Sequence, residues 1–366
     1  MQLSPILSGY IARNFIISFF CVFAVLLCVV FLFDVVELLR RAASSDNITV
    51  GMILKMGLLK LPFMGQELFP FAVLFGAMVA FWRLTRSREL MVTRAAGVSA
   101  WQFLLPVLVL AFLLGVIKIS AFNPLASALL TKYDRMDATF LKGQSSFLSL
   151  SKTGLWLRQA NEKNQSVVHA YHVTLAGKNI SLRDVTIFIY ASGDRFAGRL
   201  TAKSGRLEDG FWHLSDVWIY KPDQPLRHEA ESWFATDLTL GNIQDSFAPP
   251  ETMSFWDLPK FIENLDRAGF SALRHRLYWH TLLAAPLLLC AMILIAATFT
   301  LRQSRTGSTA LIVLGGVFTA FVLFFFSDIV FALGLRDSIP IALAAWTPSG
   351  VCMLLGLAMV FHLEDG

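Results

Sequence analysis

Six long apolar runs constrain this chain more than any other feature: Phe15–Val36, Phe63–Trp82, Trp101–Phe122, Leu277–Leu301, Ala310–Leu335 and Ile339–Phe361. A helix needs about 20 apolar residues to cross roughly 30 Å of hydrocarbon. Each run meets that length, so the chain reads as a six-span helical membrane protein. Charged residues make up 16% of it, against about 25% in soluble domains. The first run is too long for a signal-peptide core and no small-x-small cleavage pattern follows it, so it is expected to stay as an anchor. All four cysteines fall inside apolar runs, where they cannot staple an extramembrane domain, and no C-x-x-C or Cys/His metal spacing is present.

Between the runs the chain changes character. Residues 3–13 read as a short interfacial lead-in. Asp34, Glu37, Arg40 and Arg41 mark the far end of the first span, followed by the polar turn Ser44–Asn47. Thr49–Leu61 reads as a second surface helix carrying Lys55 and Lys60, with Pro62 opening the second span. That span contains Gln66, Glu67 and Pro70. Lys118 lies near the end of the third, and helical character is expected to continue past Asn123-Pro124. Residues 142–250 are polar, with short alternating runs and frequent turn signals, the pattern of an all-β domain. Asp209-Gly210, between two strand-like arms, is a two-residue hairpin signal. About seven or eight short strands fit a sandwich or jellyroll best. Pro249-Pro250 closes that domain, and Phe255, Leu258, Phe261, Ile262 and Leu265 then line one face of a connector helix. The expected division is 1–141 (three spans), 142–250 (an inserted β domain) and 251–366 (connector and three more spans).

The polar interruption Arg83–Trp101 is a candidate contact for a soluble partner. Leu84, Met91, Ala95 and Val98 recur at helical spacing, while Arg83, Arg86 and Glu89 share another face with Arg94 close by. One amphipathic surface helix is therefore expected over 83–98, with Gly97 as its stop, Ser99 as the next N-cap and Trp101 as an interfacial aromatic. One membrane side holds Arg13, Arg83, Arg86, Arg88, Arg94, Arg302 and Arg305; the other holds Arg40, Arg41, Lys55, Lys60 and Arg336. The positive-inside rule makes the first side cytoplasmic and places the β domain outside, leaving an unusually basic outer mouth.

Catalytic constellations do not emerge. His169 and His172 are three apart on a strand and point to opposite faces. No G-x-x-x-x-G-K-[ST] is present, so ATP would have to be bound by a partner. Neither a cofactor nor a metal is implied, and the basic residues are too scattered for nucleic acid. The ionisable groups in or near spans are Asp34, Glu67, Lys118, His280 and Asp328. Such groups pair, reach water or mark a path for protons or ions. Arg40-Arg41, two adjacent guanidiniums at the membrane edge, suits either a grip on phosphate or carboxylate or a snorkelling anchor.

Several stretches resemble the permease subunits of the lipopolysaccharide export ABC transporter, the LptF/LptG family, with the match closer to LptG. They are GYIARNF, DVVELLRRA, PFMGQELFPFAVLFGAM, SRELMVTRAAGVS, GLWLR and SDIVFALGLRDSIPIALAAWTPS. The resemblance implies six helices and a periplasmic jellyroll in the inner membrane, with pairing to an LptF-like permease subunit. It further implies a cytoplasmic LptB-like ATPase dimer docking at Arg83, Arg86, Arg88, Glu89 and Arg94. Lipopolysaccharide would enter by gates on the first and fifth spans, meeting Asp34, Glu37, Arg40, Arg41 and Asp328, and leave to LptC/LptA-like bridge proteins. The chain departs from the family pattern at Asp34, where a lysine is expected; that departure weakens the pull on an anionic lipid or implies a different lipid A charge. Two other classes compete: a proton-coupled secondary transporter built on Glu67 or Asp328, and a mechanotransmission protein acting on a periplasmic partner through the β domain.

Overall fold

The computed structural model describes residues 5–42, 49–95, 97–141, 155–160, 164–176, 179–191, 195–208, 210–222, 224–236, 249–267, 271–300, 309–336 and 338–365. The chain forms two compact units: Met1–Asp134 with Pro250–Pro259 and Leu273–Gly366, and Arg135–Pro249 with Lys260–Ala272.

The first unit contains all six helices long and apolar enough to cross a membrane. They are α1 (Pro5–Ala42), α2 (Val50–Arg86), the pair α4 (Ala100–Ile117) and α5 (Asn123–Met136), then α7 (Leu273–Thr300), α8 (Thr309–Leu335) and α9 (Ile341–Asp365). A short α3 (Glu89–Ala95) lies between α2 and α4. In α7, residues from Leu289 to Ala297 are buried on every side, as a helix apolar all round must be at the centre of a bundle. It packs against α2, α4, α8 and α9, while α1 packs against α2 and α4. Burial falls from 72% of the α7 span to 17% for α1 and 22% for α8, so those two helices leave broad apolar faces uncovered by this chain.

Two close approaches fix the packing. A Cβ at Gly115 of α4 would stand 2.5 Å from the Cα of Pro286 in α7, and one at Gly76 of α2 would stand 2.8 Å from the Cα of Phe19 in α1. Such backbone contact is how helices associate in lipid, where packing replaces the hydrophobic drive.

The helical part differs from its sequence expectation at the start of α2. Thr49–Leu61 is not a separate surface helix: α2 runs unbroken from Val50 through Pro62 and Pro70. Ile53, Met56 and Gly57 are already buried, and a Cβ at Gly57 would press on Phe31 and Val35 of α1, so this turn packs on α1. Tertiary packing here outweighs the loss of a hydrogen bond at each proline.

In the second unit the described strands form one antiparallel sheet in sequential order. They are β1 (Leu155–Ala160), β2 (Asn164–Ala176), β3 (Asn179–Ala191), β4 (Arg195–Glu208), β5 (Phe211–Tyr220) and β6 (Arg227–Ala235). Residues 142–154 and 237–248, at the two ends of the expected β domain, lie outside the described residues. The anticipated hairpin joins β4 and β5: Glu208 pairs with Phe211, and Gly210 takes φ +83°. One face buries Val168, Ile180, Leu182, Val185, Ile187, Trp212, Leu214 and Val217. The alternation slips where Asp184 and Asp216 take left-handed φ of 55° and 58°. The ladder passes from Arg183↔Ser204 to Val185↔Ala202, and from Ser204↔Ser215 to Ala202↔Val217, so Asp184, Lys203 and Asp216 drop out in a row. The break changes which positions face inward while the register is kept, since one residue drops out on each strand. A histidine meets each of the two aspartates, His172 at 3.7 Å from Asp184 and His228 at 2.7 Å from Asp216.

The last described helix, α6 (Leu258–Arg267), buries Leu258, Ile262 and Leu265, the apolar stripe expected of the connector. Ser254 starts it: its carbonyl accepts from Leu258 N–H at 3.1 Å and its hydroxyl from Asp257 N–H at 3.3 Å.

Filling either close approach should be costly. Gly76→Leu or Gly115→Leu is expected to destabilise the bundle by about 1–3 kcal/mol or more and to lower its melting temperature in detergent. Gly51→Leu, where a Cβ meets nothing within 4 Å, should leave that temperature nearly unchanged. In the sheet, Asp216→Val places a β-branched residue at φ 58°. It should cost about 1–2 kcal/mol and show as faster amide exchange along β5.

Candidate functional site

At the end of α1, three charged residues share one face because they are three and four positions apart. Arg40 donates from Nε to Glu37 Oε2 at 2.8 Å and from Nη2 to Oε1 at 2.9 Å, while Arg41 donates from Nε to the same Oε1 at 3.0 Å. The two guanidiniums are exposed and the carboxylate between them is more covered, at 76%, 50% and 38% of side-chain surface for Arg40, Arg41 and Glu37.

One helical turn earlier, Asp34 is covered by α2. Its side chain is buried at 4% exposure, and Lys60 of α2 donates to its Oδ1 at 2.5 Å. Of the readings open to a span-end carboxylate, Asp34 takes the paired one. The charge is neutralised inside the α1–α2 seam, and Lys60 also lies over the Tyr133 ring at 5.5 Å. The two residues lie 26 positions apart, beyond the reach of local periodicity. The available signal was a costly carboxylate near the end of one span and a lysine just before the apolar run of the next.

Asp328, on α8, is exposed. It lies within electrostatic reach of Glu67 of α2, as do Lys118 and Glu251. Lys118 is buried and its Nζ lies 5.9 Å from the Phe69 ring.

Sequence reasoning missed Asn123 altogether. Between α4 and α5 the chain makes a π-helical turn, Lys118–Phe122, with Asn123 N–H donating to the Lys118 carbonyl. Pro124 next lacks an N–H, so the Ser120 carbonyl has no helical donor. Trp256 supplies one from its indole Nε1 at 3.1 Å. Asn123, fully buried, accepts the Phe255 N–H on Oδ1 at 2.8 Å and donates from Nδ2 to Gln66 Oε1 at 3.1 Å and to the Tyr278 hydroxyl at 3.4 Å. One amide thus ties α2, α5, α7 and the chain before α6 together.

At the opposite end of the bundle the expected single helix over 83–98 is broken. Arg83 and Arg86 belong to the last turn of α2, Ser87 caps it, and Arg88 takes φ 61° before α3 begins at Glu89. The left-handed residue turns the chain and gives α3 its own axis. Glu89 falls in the first turn of α3, where a carboxylate favours the helix dipole. Arg94 is on α3, and its side chain lies outside the described ones. Gly97 stops the helix as expected, at φ +81°, with Val98 N–H reaching back to the Thr93 carbonyl at 3.2 Å. Ser99 caps α4 in a reciprocal box with Gln102. Arg86 lies over Trp82 at 5.1 Å, and Thr85 donates to the Thr300 carbonyl at 3.4 Å, so the ends of α2 and α7 meet beside α3. Among the described residues no group of His, Cys, Asp and Glu could hold a metal ion.

Residues 9–361 match the family model for the lipopolysaccharide export system permease LptF/LptG. The chain belongs to the LptF/LptG family. Two curated relatives, both described as lipopolysaccharide export system permease protein LptG, come from Escherichia coli K12 and Escherichia coli O6:H1. Each is 25% identical over 370 residues, covering 99% of this chain and 99% of the relative. Membership of the LptF/LptG family makes the chain a multi-pass inner-membrane permease subunit of the lipopolysaccharide export system, with partner proteins, rather than the ATPase itself.

Removing Lys60 should strand a buried carboxylate whose second oxygen already lacks a hydrogen-bond donor. Lys60→Met is expected to destabilise the bundle by about 3 kcal/mol, and Asp34→Asn/Lys60→Met to restore most of that loss. Melting temperatures of the three proteins in detergent check it.

Proposed function

We propose that the chain is one of two permease subunits of an ATP-driven exporter. It draws lipopolysaccharide from the outer leaflet of the inner membrane and passes it to a periplasmic bridge. A separate cytoplasmic ATPase dimer binds and hydrolyses the nucleotide. The observation that carries this reading is the break at Ser87-Arg88, which sets a short charged helix beside the joined ends of α2 and α7. A partner pressing on α3 pushes directly on the most buried helices of the bundle.

Two further features support the same reading. The apolar faces of α1 (Phe20, Val25, Phe33) and α8 (Phe318, Phe321, Ile329) are exposed, as lateral gates closed by a second subunit would be. Arg40 and Arg41 end α1 at its outer edge, where lipid phosphates enter. In this mechanism nucleotide-driven closure moves α3, the spans narrow a cavity that opens outward, and the lipid leaves toward the strands. The basic residues around α3, by the positive-inside rule, support a cytoplasmic α3 end and a periplasmic β unit.

Tagged protein purified from native membranes should bring down a soluble ATPase and a second six-span protein. Glu89→Arg reverses a charge at the contact and is expected to reduce the recovered ATPase about tenfold or more, a change of roughly 1.4 kcal/mol. The membrane partner should remain. Equal ATPase recovery from both proteins, or none from the wild type, would overturn the reading.

A further inference from the structure

Helix α2 is longer than a bilayer requires. Its 37 residues extend about 55 Å, against about 30 Å of hydrocarbon, and its apolar run begins only at Phe63. Leu58, Leu54 and Val50 therefore lie roughly 8, 14 and 20 Å beyond Phe63 along the axis, past a headgroup layer of about 5–7 Å. All three are exposed, at 57%, 42% and 60%, while Ile53, Met56 and Gly57 are buried. Spaced four apart, they form one apolar stripe that climbs about 12 Å along the helix. We infer that this stripe is a slide for the acyl chains of lipopolysaccharide once they have left the bilayer. The inference rests on the proposed function, in which the lipid enters beside the outer end of α1.

Position and charge select this occupant. Gly76 of α2 meets Phe19 of α1 and Gly57 meets Val35, so the two helices run antiparallel. About 22 residues further along each from the Gly76–Phe19 contact, Leu54 comes about level with Arg41. The stripe thus starts beside the exposed apolar face of α1, with Phe33 and Val36, and climbs past its arginine pair. Lys55, next to Leu54 and also exposed, adds a third cation along the same stretch. An apolar track flanked by cations suits an anionic amphiphile. Tails of a resting bilayer lipid end below Val50, and three side chains offer far less than the roughly 800 Å² per partner of a stable protein interface. Each methylene drawn out of hydrocarbon into water is unfavourable, and a stripe alongside lowers that rising cost step by step. Because it covers a chain from one side only, it guides without trapping.

Photocrosslinking in the complex purified from native membranes, reconstituted with lipopolysaccharide in phospholipid vesicles, tests this. Benzoylphenylalanine is placed at Val50 or Leu54 on the stripe, at exposed Lys132 of α5, and at Phe33 on the exposed face of α1. With ATP, lipopolysaccharide adducts at Val50 and Leu54 should rise about fivefold or more, and those at Lys132 should not. In Leu54→Ser/Leu58→Ser the rise at Val50 should fall to about twofold or less. Adducts to protein or phospholipid in place of lipopolysaccharide on the stripe, or lipopolysaccharide adducts there that do not change with ATP, overturn the inference. Lipopolysaccharide at Phe33 but none on the stripe also overturns it and leaves the proposed function standing. Its absence from all four positions removes both.

Discussion

Inside hydrocarbon a backbone amide or carbonyl without a partner is too costly to keep, and the junction between α4 and α5 shows how this chain meets that demand. The π-helical turn and Pro124 together break the regular ladder where the span ends. Trp256 donates to the Ser120 carbonyl at 3.1 Å, and the Asn123 side chain accepts the Phe255 amide at 2.8 Å. These bonds hold the segment before α6 against the α4–α5 junction, and the same asparagine reaches Gln66 of α2 and Tyr278 of α7.

The rest of the bundle is ordered by how much each helix buries. The centre, α7, is buried on every side from Leu289 to Ala297, and α4 presses on it through Gly115, as α2 presses on α1 through Gly76. The peripheral helices α1 and α8 present phenylalanine-rich faces outward. Under the proposed pairing with a second permease subunit, those faces are the ones that subunit would cover.

Legibility followed the range of the interaction. The spans, Gly97, Ser99 and the Asp209-Gly210 turn are local signals, and each appears where the residues pointed. Glu37 with Arg40 and Arg41 was readable from spacing alone, since a helix brings such positions together. The failures are of two kinds. Arg88, Asp184 and Asp216 adopt left-handed φ without glycine, which local patterns do not announce. Lys60 with Asp34, and Asn123 with Phe255, depend on contacts across the fold, which a single sequence does not show.

The prolines of α2 have a mechanical meaning. Each leaves the carbonyl four residues earlier without its helical donor, freeing those of Leu58 and Gln66. From Pro70 to Arg86 the helix is uninterrupted and buried through Ala72, Val73, Leu74, Ala77 and Phe81, a stiff strut about 25 Å long at 1.5 Å per residue. Between the two prolines Gln66 turns the loss to use: its side chain is hydrogen-bonded to Asn123. The helix is thus held from the side over the stretch where its own ladder is thinnest, between the Asp34–Lys60 pair and the stiff run toward Arg86.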